Sequence, residues 1–420
     1  MTTITAVEHE LSLHIPSLIS LWRDNKNTGN LTFKELKTAG NALLSLQRGL
    51  TGSRALAGSG YMNDNALLGA YLLYYWPVSY MQTALAALSG FPAVTPHRQA
   101  PVRILDIGSG PGPASCAVAD LLQRKYSDEI FLEFTLADSS RKALALAEKL
   151  LQQKKSSAKT VKVFTHTVDL EHSHDFLQEP DTYDIIIVSH ALNELWRGDK
   201  DCIVKRYAML EKAAARLSVE GVLLLLEPAL LETSRSLLAV RDLLVSHGFS
   251  IYAPCMSDDS CPALSAGPNH TCHAEIPWSP PEPVSSLAKT AGLDRDSIKM
   301  SFIVAGKKVP EADTSVKKKK SVQTVTARVV SDAMLNKSGR IRYLLCNGHT
   351  RFAFSAKKGD TEAQSAGFFT LHRYDVIEII SPEVRGEHEN TAYGFGPDTK
   401  LHVVSQMGQN MSVDIYRPGN

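Results

Sequence analysis

The stretch Val102-Arg-Ile-Leu-Asp-Ile-Gly-Ser-Gly-Pro-Gly-Pro113 constrains the fold more than any other part of the chain. An apolar run carries Asp106 at its end and enters a turn in which Gly108, Gly110 and Gly112 alternate with Ser109 and Pro111. Glycines remove side chains where a backbone turns tightly or approaches a ligand closely. The helix expected after such a turn offers free N–H groups at its N-terminus. Apolar runs at 102–107, 131–137, 161–168, 184–189 and 221–227 alternate with helical periodicity at 114–124, 141–153, 204–217 and 232–247. This order predicts an α/β fold with a parallel sheet covered on both faces. Two further strands are expected at 249–253 and 299–304. The segment between them, 254–293, is rich in Pro, Ser and Cys and reads as an inserted excursion.

The G-x-G-x-G spacing preceded by Asp106 resembles the first motif of class I S-adenosylmethionine (SAM)-dependent methyltransferases rather than a dinucleotide fingerprint. The resemblance covers about 100–305 and implies a Rossmann-like sheet. It also implies SAM contacts from Asp106, Gly108, Ser109, Gly110 and Gly112. The second apolar run ends in Asp138, a carboxylate placed to accept hydrogen bonds from both ribose hydroxyls. Asp169 follows the third, where the family has an adenine-contacting acid. The fourth run exits through His190, Asn193 and Glu194, where family members place catalytic groups. The N-P-P-Y motif of amino-methylating enzymes is absent. His190 is a candidate base, with an unperturbed pKa of ~6.5. The same three residues suit a helix cap or the lining of the methionine end of SAM equally well.

The flanks read differently. Residues 1–98 form a helical region, with apolar periodicity at 31–50 and 66–88. The run 65–97 holds no Asp, Glu, Lys or Arg. It has the ~20 residues that a bilayer span requires. Pro77 in mid-run and several polar residues favour buried helices, so no membrane is expected. The first sixteen residues lack a signal-type apolar core. With few cysteines, this predicts a reducing, cytoplasmic setting. The SAM-binding domain is placed at 99–305 with its cysteine-rich insertion at 254–293, a Lys-rich linker at 306–321, and a C-terminal β domain at 322–420. Short runs at 322–330, 340–345, 351–355, 374–380, 401–405 and 411–416 suggest a small OB-like β-barrel.

Of six cysteines, Cys116 reads as a core residue and Cys202 as a helix start. Cys255, Cys261 and Cys272 share the excursion, with five and ten residues between them. That pattern matches neither a zinc ribbon nor the radical-SAM triplet, yet three thiols in one irregular loop suggest a metal. A fourth ligand would come from Cys346 or, locally, from His270 or His273. Three thiolates and an imidazole would point to zinc; four thiolates suit zinc or an iron–sulfur cluster.

Together, I-L-D-I-G-S-G-P-G at 104–112, S-H-A-L-N-E-L at 189–195, L-L-E-P at 225–228 and A-P-C…C-P…C-H at 253–273 resemble one family. It is the methyltransferase-like small-ribosomal-subunit assembly proteins, known from mitochondria and with bacterial relatives. Tyr71, Pro77 and Tyr80 resemble its N-terminal helical motif, and the resemblance spans about 60–355. It implies binding to small-subunit (16S) ribosomal RNA during assembly. It also implies a [4Fe-4S] cluster on Cys255, Cys261, Cys272 and, by position, Cys346. RNA methylation is a second reading, and a small-molecule methyltransferase with structural zinc is the alternative from another class. Net charge is +1, which argues for no global nucleic-acid role, but residues 306–420 hold 17 Lys or Arg against 12 Asp or Glu. Lys317–Lys320, Arg340, Arg342 and Arg351, interleaved with Tyr343 and Phe352, are candidate phosphate and base contacts. A solvated linker and sheet face account for the same residues.

Overall fold

The computed structural model describes residues 3–56, 60–91, 100–126, 130–153, 161–177, 182–308, 323–386 and 392–407. The lysine run at 317–320 and the strand expected at 411–416 lie outside the described residues.

The first sheet contains β1 (Val102–Ile107), β2 (Leu132–Asp138), β3 (Val161–Thr167), β4 (Tyr183–Ser189), β5 (Leu217–Glu227), β6 (Phe249–Ala253), β7 (Ala274–Pro277) and β8 (Ser297–Lys307). Its order is β3-β2-β1-β4-β5-β8-β6, with β7 also paired to β8. The first five strands run parallel. β8 is antiparallel to β5, β6 and β7. The sheet is therefore mixed, not wholly parallel as expected. An antiparallel edge on a doubly wound sheet needs no crossover helix, so the excursion after β6 can return directly as β8.

Four helices precede this sheet in the chain: α1 (Thr3–Arg23), α2 (Phe33–Gln47), α3 (Asn65–Ala70) and α4 (Trp76–Gly90). Four more alternate with its strands: α5 (Pro113–Tyr126), α6 (Arg141–Gln152), α7 (Cys202–Ala215) and α8 (Leu231–Ser246). Ile185–Val188 on β4 and Val222–Leu226 on β5 are buried without alternation, as expected of strands covered on both faces. The described part of the charge-free run, 65–91, forms α3 and α4, joined by a wide π-type turn at Tyr71–Tyr75. Such turns occur frequently at functional sites. Pro77 sits in the first turn of α4, where its missing N–H removes no helical bond. No helix among the described residues is long and apolar enough to cross a membrane.

The excursion folds as α9 (Pro262–Ser265), β7 and α10 (Val284–Thr290). The second sheet contains β9 (Thr324–Val329), β10 (Met334–Leu335), β11 (Arg340–Cys346), β12 (Arg351–Lys357), β13 (Val376–Ile380), β14 (Glu383–Arg385), β15 (Ala392–Gly394) and β16 (Lys400–Ser405), with α11 at Thr361–Ser365. Its order is β14-β15-β12-β11-β9-β13-β16, with β10 on β11. No pairing between the described strands closes that path into the OB-like barrel expected. Tyr343 and Phe352 are 1% and 7% exposed and pack with Phe354, Phe368 and Phe395. They are core residues, not the base-stacking surface that the interleaving suggested.

Polar ties fix the N-terminal helices to the sheet beside the glycine turn. Trp76 Nε1–H donates to the Pro111 carbonyl at 3.0 Å. Asp120 on α5 accepts from Tyr80 Oη at 2.6 Å and meets His14 Nε2 at 2.8 Å. Removing that carboxylate leaves buried polar groups short of a partner, each costing about 1–3 kcal/mol. Asp120→Ala should lower stability by about 2–4 kcal/mol, read from the urea midpoint, whereas Tyr80→Phe should lose less.

Candidate functional site

The carboxyl ends of β1, β2 and β4 open on one cavity of about 580 Å³. The rim of an open α/β sheet is the place where ligands bind in such folds. The glycine turn forms its floor. Gly108, Gly110 and Gly112 all have positive φ. A Cβ on Gly108 would lie 2.3 Å from the Ala191 Cβ, so the turn and the loop after β4 touch only because this residue has no side chain. Gly112 does not line the cavity; it lets the turn pack on α6, where a Cβ would meet Ala147 Cβ at 2.9 Å.

Asp106, Ser109, Gly110, Asp138 and Asp169 line the same cavity. Asp106 is fully buried and accepts from Ser115 Oγ at 2.6 Å, while its other oxygen has no partner. Burial pushes its pKa up to about 7, with the neighbouring Asp138 adding to the rise. Asp138 accepts from the Gly110 N–H at 2.9 Å and the Ser140 N–H at 2.8 Å. Burial raises its pKa against those bonds. One carboxylate thus shapes the glycine turn and faces the cavity. Asp169 stands exposed at the rim, paired with His172 at 2.9 Å, which lowers its pKa.

His190, Asn193 and Glu194 also line this cavity. His190 has φ +59°, a left-handed conformation that turns the chain back after β4. Its Nε2 lies 2.8 Å from Gln82 Oε1. Gln82 donates its amide to the Lys299 carbonyl at 2.8 Å, which leaves Oε1 as the acceptor. His190 therefore carries its proton on Nε2, and the buried Nδ1 has a bare lone pair with no partner. Burial brings its pKa down to about 4, so the ring is neutral at physiological pH. Asn193 is held on three sides: its amide donates to the His190 carbonyl at 2.9 Å, its N–H to Glu227 Oε1 at 3.0 Å, and Arg54 Nη2 donates to its side-chain oxygen at 2.9 Å. Gln82, Arg54 and the cavity tyrosines Tyr61 and Tyr75 belong to no short motif. Only Glu227, within the L-L-E-P stretch, and Tyr71 belonged to one.

The cysteines occupy a second cavity. Cys255, Cys261, Cys272 and Cys346 all line it, together with Arg241, Arg328, Arg351 and Tyr374. Three thiols of the excursion and one from the end of β11 are thus brought together, whereas the cavity's lining includes neither His270 nor His273. Among the described residues, no group of three or more His, Cys, Asp or Glu side chains is arranged to hold a single metal ion. Burial pushes the Cys255 thiol up to about 12 against the pull of Arg241, and burial also raises Cys261 and Cys346. Asp242, beside Arg241 on α8, accepts the Cys261 N–H at 3.1 Å. Cys272 Sγ lies 3.3 Å from Tyr374 Oη, and Arg351 donates to the Thr271 carbonyl at 2.8 Å. Nε of each of the three arginines is buried without a hydrogen-bond partner. Cys116 is buried in the core and Cys202 opens α7.

A family model described as mitochondrial small ribosomal subunit Rsm22 matches residues 66–361. No curated protein matches the chain. Similar solved structures include a putative class I SAM-dependent methyltransferase from Listeria monocytogenes, 13% identical, covering 75% of this chain and 91% of that one with a TM-score of 0.36. A putative RNA methyltransferase from Pyrococcus horikoshii is 13% identical, covering 56% and 86% with a TM-score of 0.31. The plantazolicin methyltransferase BpumL, solved with SAH, is also 13% identical, covering 66% and 98% at 0.31.

The buried carboxyl of Glu227 makes the site pH-sensitive. Burial raises its pKa to about 8 from 4.5, so the folded state holds a proton that the unfolded chain releases. Stability from this group is present at low pH and is lost as pH rises through about 8. Glu227→Gln keeps an acceptor for the Asn193 N–H without that loss. Its stability relative to the wild type should rise between pH 5 and pH 9 by on the order of 1–3 kcal/mol, read from urea midpoints.

Proposed function

The chain belongs to the Rsm22 family of the mitochondrial small ribosomal subunit, and we propose that it is a SAM- and cluster-binding factor acting on small-subunit ribosomal RNA during assembly. The observation that carries this reading is the convergence of the glycine turn, Asp138 and the His190–Glu194 loop on one cavity at the sheet's carboxyl edge.

The residues fit SAM. Asp106, Ser189 and His190 each present a buried polar atom without a partner in that cavity. Asp138 would take the ribose hydroxyls and Asp169 the adenine, and the Gly108–Gly110 turn would give the backbone close approach. SAM supplies an activated methyl group when bound. The chain's own contribution is a neutral His190 able to accept a proton at Nδ1, held in place by Gln82. That arrangement supports methyl transfer to RNA as well as binding alone.

The cysteine cavity fits an iron–sulfur cluster. Its donors are four soft thiols, the set such clusters use. Three guanidiniums whose buried Nε–H groups are unpaired line the same space and would offset the negative charge of four thiolates on a bound cluster. Cys255, Cys261 and Cys272 would hold the cluster from the excursion and Cys346 from β11, fastening the two sheets to each other.

Three measurements test this. The wild type purified anaerobically should contain iron and acid-labile sulfide in equal amounts, and Cys346→Ser should lose most of both; zinc without iron overturns the cluster. Asp138→Ala should weaken SAM binding roughly 10–100-fold in calorimetric titration, the loss expected for hydrogen bonds to a charged group. A wild-type chain that takes up no SAM removes that half of the reading. Co-sedimentation with small-subunit precursors should be seen for the wild type, and its absence overturns the ribosomal role.

A further inference from the structure

A third cavity, of about 430 Å³, opens beside the SAM cavity and is lined by Arg54, Arg197, Arg206 and Arg235. These arginines come from four separate places: the segment before α3, the loop after β4, α7 and α8. Arg54 and Arg206 are only 7% and 5% exposed.

Their hydrogen bonds satisfy geometry but leave the charge uncompensated. Arg54 donates to the Asn193 side-chain oxygen at 2.9 Å. Arg206 donates to the Leu195 carbonyl at 2.8 Å and to Ser236 Oγ at 2.6 Å. Arg235 donates to the Gly267 and His270 carbonyls, both at 2.7 Å. Arg197 donates to the Arg54 carbonyl. Every one of these acceptors is neutral. The one lining carboxylate is Glu232, 3.6 Å from Arg54 Nε and 69% exposed. Glu227 is not part of the lining, and burial raises its pKa to about 8 against the pull of Arg206. Arg54 Nε is buried with no hydrogen-bond partner. Holding four guanidiniums around one hollow is repulsive unless an anion joins them. Their forked, planar donors match the oxygens of a phosphate.

Asn193 lines both this hollow and the SAM cavity. An anion bound here therefore sits one side chain away from the loop that carries His190 and Glu194. We propose that this arginine pocket binds a backbone phosphate of the ribosomal RNA and so sets the RNA against the mouth of the SAM cavity. The proposal rests on the ribosomal reading above and names the element of that site which grips the RNA. A free mononucleotide offers the same phosphate chemistry, and the experiment separates the two.

Two variants of the full chain probe the pocket without touching the SAM or cysteine sites. Arg197→Gln removes its most exposed guanidinium. Ala239→Glu sets a carboxylate into the lining and removes no arginine. Binding of transcribed 16S rRNA is measured over a range of salt concentrations, with SAM affinity on the same preparations as the control for folding. Each variant should bind the RNA roughly tenfold more weakly, and Arg197→Gln should reduce the log–log salt slope by about one, with SAM affinity unchanged. If the wild type binds 16S rRNA and both variants match it in affinity and slope, the pocket assignment is overturned and the ribosomal role stands. If the wild type binds no 16S rRNA, the ribosomal role fails and the pocket assignment falls with it. If AMP binds the wild type saturably and both variants lose that binding while keeping their RNA affinity, the pocket is a mononucleotide site and the RNA assignment is wrong.

Discussion

Strand β8 is the element on which both sites depend. It pairs with β5, β6 and β7 and so joins the sheet to the cysteine-bearing excursion. Three positions within four residues of it, Lys299, Ser301 and Phe302, make different contacts. The Lys299 carbonyl fixes the Gln82 amide, which in turn fixes the His190 ring. Ser301 Oγ donates to the Cys272 carbonyl at 2.8 Å. Phe302 packs against Tyr374, with ring centroids 5.8 Å apart, and Tyr374 touches Cys272 Sγ. A strand held by ladders on both sides cannot shift one of these contacts alone. The cavity at the sheet's carboxyl edge and the cysteine cavity are therefore built on a shared support.

The electrostatics of the two cavities are opposite in kind. In and behind the cavity at the sheet's carboxyl edge, carboxyls are buried, and burial lifts the pKa of Asp106 and Glu227. Around the cysteines, and at Arg54 in the arginine pocket, buried guanidinium Nε–H groups are left unpaired. Buried charge without a partner is costly in a protein interior. Its concentration around hollows, rather than in the packed core, is what makes these places candidate binding sites.

Much of the fold could be read from the chain. Apart from β7, which no apolar run marked, the strands of the first sheet fall within a few residues of the apolar runs, because strands covered on both faces need continuous apolar stretches. The glycine turn was legible because positive φ and close approach to Ala191 both demand residues without a Cβ. The aromatic residues on β11 and β12 were misjudged. Alternation shows that two faces differ, but not which one is covered, and Tyr343 and Phe352 turned out to face the core.

The sequence by itself determined the αβ order, the acids at the strand ends and the supply of thiols, since each depends on residue type and local spacing. Tertiary structure alone decided the partnerships. Gln82 meets His190 across 108 residues, Arg54 meets Asn193 across 139, and Cys272 meets Tyr374 across 102. No local periodicity encodes contacts at such separations, because they arise only when strands pair and helices settle on the sheet. The antiparallel turn of β8, and with it the joint between the two cavities, was settled in the same way.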